Sequence, residues 1–134
     1  MNFFEKEMRQ MFEGDDILQD AKFVGKTMLA KLDDDLRIKL QFIASHISGQ
    51  YDTVQMTIIN RTDGVVDKQN FKFSDIIGKY TRPGRDPLDY HMWEYQGKPE
   101  WYTPISLTDK ARIADTVMNY AEMYLDQPMS MQGM

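Results

Sequence analysis

The sequence predicts an α+β domain: an N-terminal helix, an antiparallel meander sheet of about five to six strands, and a C-terminal helix packed on one face. Three observations predict it. Segments with helical apolar spacing bracket the chain near its two ends. Between them, runs with two-residue alternation follow one another without an intervening helix, as antiparallel pairing allows and parallel βαβ units do not. Turn residues, mostly Gly, Asp and Pro, separate these runs.

Residues 2–13, NFFEKEMRQMFE, form the first helix. Asn2 caps it and Glu5 stands three positions later, as in a capping box. Phe4, Met8, Met11 and Phe12 share one face, while Glu5, Lys6, Arg9 and Glu13 take the other. Gly14 with Asp15 and Asp16 stops it, and residues 15–20 make an acidic connector. The stretch 22–32, KFVGKTMLAKL, reads as one strand with a bulge or bend at Gly25. Asp33, Asp34 and Asp35 form a solvated turn, because the spaced oxygen ligands of a calcium loop are missing. In 36–47, Leu36, Ile38, Leu40 and Phe42 alternate with Arg37, Lys39 and Gln41, which makes a second strand ending near His46. His46 has Ser45 and Ser48 nearby but no nucleophile elbow, so it is an edge residue.

Residues 54–75 read as a hairpin. Val54, Met56 and Ile58 point to one side, Asp63-Gly64 supplies the positive φ of the turn, and the second arm is long or irregular up to a short helical turn at 73–78. The segment 79–90, KYTRPGRDPLDY, reads as an irregular loop because Pro83, Gly84 and Pro87 deny it a helix or a central strand. It carries the chain's one apparent basic cluster, Lys79, Arg82 and Arg85, beside Tyr80 and Tyr90. Such a loop is either a solvated connection or a binding loop. Residues 91–102, HMWEYQGKPEWY, read as a second hairpin turning at 96–99, with the prolines favouring an edge position. Trp93 and Trp101 with their tyrosine neighbours either stack on bases or sugars, or cover a core. Asp86, Asp89 and His91 lie within six positions and form a conceivable metal or acid–base group. The last helix is capped by Thr108 and presents Leu107, Ala111, Ala114, Val117, Met118, Ala121, Tyr124 and Leu125 until Pro128. Residues 1–127 are then one domain and 128–134 a disordered Met-rich tail.

The chain's 134 residues suit a single domain with its own core. The lack of cysteine removes disulfides, thiolate nucleophiles and Cys-based metal sites. Acids occupy Glu5 and Glu7 where a secretion signal carries an apolar core, and no run approaches the ~20 residues that span a bilayer. The expectation is a soluble cytoplasmic protein with no membrane segment. A net charge of −5 works against generic nucleic-acid binding. No phosphate loop, dinucleotide fingerprint or metal-ligand spacing is present, so neither catalysis nor a cofactor or metal is expected.

The blocks FFEKEMRQMF, FVGKTMLAKLDDDLRIKLQF, TIINRTDGVVDKQNFKFSDIIGK and HMWEYQGKPEWY resemble a family of short uncharacterised proteins encoded by gut Firmicutes, often on conjugative or other mobile elements. The likeness runs from Phe3 to Leu125. It implies a bacterial cytoplasmic accessory protein and brings no catalytic residue or cofactor with it. The leading expectation is a non-catalytic protein-binding or regulatory module, acting on a protein partner or as a homodimer. The alternative is nucleic-acid binding through Lys79, Tyr80, Arg82, Arg85, Tyr90, Trp93 and Trp101. The third is an enzyme using Asp86, Asp89 and His91.

Overall fold

A computed structural model describes the backbone of residues 1–132 and the side chains of residues 1–125. The chain runs α1 (Phe3–Phe12), β1 (Gln19–Val24), β2 (Thr27–Lys31), β3 (Leu36–Ile43), β4 (Gln50–Tyr51), β5 (Thr53–Asn60), β6 (Gly64–Lys72), α2 (Phe73–Ile77), β7 (Tyr80–Arg82), β8 (Arg85–Leu88), β9 (Met92–Tyr95), β10 (Lys98–Trp101) and α3 (Leu107–Gln132). The fold is α+β. Its main sheet is an antiparallel meander of five strands in the order β1-β2-β3-β5-β6, with β4 diverted to a small sheet β10-β9-β4 and β7 paired with β8.

The alternation in β3 and β5 does what its period dictates. Ile38, Leu40, Phe42, Val54, Met56 and Ile58 are all at most 1% exposed and face one side. Met28 and Ala30 of β2 join them. Onto this side α1 lays Phe4, Met8 and Phe12, and α3 lays Ile113, Ala114, Val117, Met118 and Ala121. Each large side chain so buried contributes roughly 1.5–3 kcal/mol, which is why two helices of ordinary amphipathicity hold to one sheet face. The capping box expected at the chain's start is present in part: Glu5 N–H donates to Asn2 Oδ1 at 2.8 Å.

Four expectations are corrected. The stretch 22–32 is two strands, because Gly25, at φ +59, turns Val24 back against Thr27 across a two-residue loop. Residues 79–90 are a hairpin: Pro83 and Gly84 occupy its turn, with Gly84 at φ +69. Ser106 caps α3, its Oγ accepting from Asp109 N–H at 3.0 Å, and Leu107 and Ala111 lie outside the apolar stripe while Ile113 lies within it. α3 also continues past Pro128 to Gln132. The tail expected at 128–134 therefore falls on helical backbone up to 132, with its side chains and residues 133 and 134 outside the described residues. The hairpin of 54–73, the helical turn after it, the 91–102 hairpin and the edge position of Pro99 on β10 follow the sequence reading.

Candidate binding face on the open side of the sheet

Strands with a buried face send every second residue the other way. On that second side of the main sheet no described helix packs, and Leu29 of β2 stays 49% exposed there, while Thr57 of β5, in the same row, is 7% exposed between its neighbours. The register fixes what lies there. One row across the strands is Gln19, Lys31, Arg37, Ile59 and Val65; the next is Lys22, Leu29, Lys39, Thr57 and Lys68; the third is Val24, Thr27, Gln41, Gln55 and Asn70. A fourth row, Ile43, Thr53 and Lys72, meets the 79–90 hairpin, where Lys72 Nζ lies 2.9 Å from Asp89 Oδ2.

Five cations thus share the open face: Lys22, Lys31, Arg37, Lys39 and Lys68. None takes part in an ion pair among the described residues. The nearby acidic turn makes no ion pair with them: Asp33 Oδ1 accepts from the main-chain N–H groups of Asp35 and Leu36, both at 2.8 Å, and Arg37 Nη1 donates to the Asp33 main-chain oxygen at 3.5 Å. At the β1 end the face deepens into a hollow of about 460 Å³ lined by Asp20, Lys22, Leu29, Lys31, Arg37 and Ile59. A bulge between Gln19 and Lys22, with Asp20 at φ +54, shapes that edge.

The sequence-named residues divide differently. Lys79 and Lys72 both face Asp89, and the hydrogen bond from Lys72 holds the Asp89 carboxyl below the usual range while raising the Lys72 ammonium. Arg82 Nη2 donates to its own hairpin, at Asp86 O, 2.9 Å away. Arg85 is exposed on β8. Tyr80 meets Tyr90 edge-on at 5.8 Å, and burial pushes the Tyr90 phenol up. The basic loop is therefore a folded hairpin in which only Lys79 comes within ion-pair range of a carboxylate, at 4.0 Å, and the larger cationic array lies on the sheet.

Trp101 is committed to the core: its ring lies 5.5 Å from Phe73 and its Nε1–H donates to Glu7 Oε1 at 2.7 Å, with Lys110 Nζ on the same oxygen. Trp93 stacks on Tyr95 at 5.4 Å and meets Tyr102 edge-on at 4.6 Å, while Tyr102 stacks on His91 at 5.0 Å. Trp93 and Trp101 thus face opposite sides of their hairpin and do not form one platform. Asp86, Asp89 and His91 do not converge either. Asp89 is turned to Lys72, and His91 Nδ1 lies 2.8 Å from the Asp89 main-chain oxygen. No group of three potential metal ligands occurs among the described residues, and His46 is exposed in a loop.

The polar half of the strand alternation, Arg37 and Lys39 above all, was the signal for the open face. What the sequence alone could not supply was the register that adds Lys22, Lys31 and Lys68. No described helix is long and apolar enough to cross a membrane. No family model, curated protein or solved structure matches the chain.

Proposed function

We propose that the chain is a non-catalytic binding module, an accessory protein of the bacterial cytoplasm, whose open sheet face seats an acidic, amphipathic segment of a protein partner. The observation that carries this reading is the gathering of five unpaired cations on one face of a chain whose net charge is −5. Leu29, Ile59 and Val65 lie among them, so the face offers apolar area as well as charge. A segment carrying acids and aliphatic side chains complements both.

Two rival occupants fit less well. A single-stranded nucleic acid gains about 1–3 kcal/mol per base from aromatic stacking, and none of the three open rows holds a ring. A symmetric homodimer through this face would set the same cations against each other.

The test is a titration of the full chain with a synthetic amphipathic peptide of Glu and Leu, alongside an oligothymidylate, at low and at physiological salt. The reading expects saturable peptide binding that weakens with salt. It also expects loss of that binding in Lys39→Glu/Lys68→Glu. Tighter binding of the oligothymidylate would favour the nucleic-acid alternative, and binding unchanged in the double variant would remove the sheet face as the surface.

A further inference from the structure

The hollow at the β1 end carries more charge than a carboxylate partner uses. Lys22, Lys31 and Arg37 line it against one carboxylate, Asp20, which leaves an excess of two positive charges. Lys31 stands directly opposite Arg37 in the β2–β3 ladder. Like charges in that position destabilise a sheet unless an anion lies between them. The side walls, Leu29 and Ile59, are aliphatic, and the volume of about 460 Å³ exceeds what a bare inorganic ion fills. Arg37 supplies the planar fork that takes two oxygens of one anion at once, and the two lysines supply mobile point charges.

From this geometry we propose that the hollow takes a dianionic phosphate monoester, carried as a phosphorylated side chain on the partner segment that lies across the sheet. This deepens the reading of the open face and rests on it. A phosphoryl group brings about −1.5 to −2 charges near pH 7, which matches the excess in the hollow where a carboxylate's single charge does not. The carbon chain bearing the phosphate then lies against Leu29 and Ile59. Lys39 and Lys68 stand further along the face and remain for the acids of the same segment.

The probe is phenyl phosphate, with benzoate and inorganic phosphate as comparators, titrated into the full-length ¹⁵N-labelled protein. Saturable amide shifts are expected at Leu29, Lys31, Arg37 and Ile59, with phenyl phosphate binding about tenfold tighter than benzoate. Binding should strengthen from pH 5 to pH 7, as the phosphate takes its second charge near pH 6. Arg37→Ala and Lys31→Ala should each lose most of the preference, and Arg37→Lys should recover part of it. Phenyl phosphate should also weaken the binding of the acidic peptide. Equal affinity for benzoate, inorganic phosphate binding as tightly as the ester, or shifts spread evenly over the face would each overturn the proposal. Binding of the ester without any effect on the peptide would overturn the partner-borne source. Lys39→Glu/Lys68→Glu separates the two readings: it should abolish peptide binding while leaving phenyl phosphate bound. If the peptide binds and the ester does not, only the phosphate proposal falls.

Discussion

Lys31 and Arg37 face each other across the β2–β3 ladder on the open side of the sheet, with no carboxylate paired to either among the described residues. Opposed like charges cost stability. Lys31→Gln should therefore raise the unfolding free energy by about 0.5 kcal/mol while weakening binding at the hollow. Urea denaturation checks the first effect and the titrations the second. A variant that is both less stable and equally competent would contradict the reading of this pair.

Trp101 belongs to the packing between the small sheet and the two long helices. Its Nε1–H bond to Glu7 and its contact with Phe73 tie β10 to α1 and α2. Trp101→Phe keeps an aromatic ring but loses the bond and part of the indole's packing, so it should cost about 2 kcal/mol. Trp101→Ala should cost about 3 kcal/mol. Neither should change the affinity of the acidic peptide for the sheet face. Thermal or urea unfolding, paired with the peptide titration, separates these outcomes.

Asp67, on the covered side of edge strand β6, accepts from the hydroxyls of Tyr120 at 2.9 Å and of Tyr124, both on α3. The Tyr124 bond is the main reason the Asp67 carboxyl titrates below its usual range. Burial, followed by the bond to Asp67, raises the Tyr124 phenol. A lowered carboxyl stabilises the fold above its unfolded pKa of about 3.9. That stability is lost as pH falls through the folded value. A raised phenol stabilises it below about pH 10 and loses that contribution as pH climbs further. The wild type should weaken at both extremes, and Tyr124→Phe should flatten both limbs while costing about 1 kcal/mol at neutral pH. Unfolding measured from pH 3 to pH 11 tests this.

Helix capping at the start of α3 distinguishes two neighbouring hydroxyls. Ser106→Ala should destabilise by about 1 kcal/mol, because it removes the acceptor for Asp109 N–H. Thr108→Ala should be close to neutral, since Thr108 is exposed within the first turn and makes no hydrogen bond that caps it. Paired denaturation curves of the two variants would show the difference.

Legibility in the sequence followed the buried face. Leu36, Ile38, Leu40 and Phe42, and Val54, Met56 and Ile58, alternate because one side of β3 and β5 is covered, so both strands are readable, whereas their pairing with each other comes from the structure. In the sequence Gly25 looks like a bend rather than a turn, because the apolar runs on either side are short and Lys26 is not a turn-specific residue. Tyr80–Arg82 and Arg85–Leu88 are short strands with mostly exposed residues, so no alternation marked them and the prolines dominated the reading. The basic cluster of 79–85 was visible because its members are close in sequence. Lys22, Lys31, Arg37, Lys39 and Lys68 come together only through four antiparallel registers, and composition alone, at −5, pointed away from them.

The most direct test of the binding account is a map of amide shifts as the Glu/Leu peptide is added to the labelled chain. The account predicts that the largest changes fall on Leu29, Lys39, Thr57 and Lys68, and that they fade with added salt. Changes concentrated on residues 79–102, with the open face of the sheet unmoved, would contradict it.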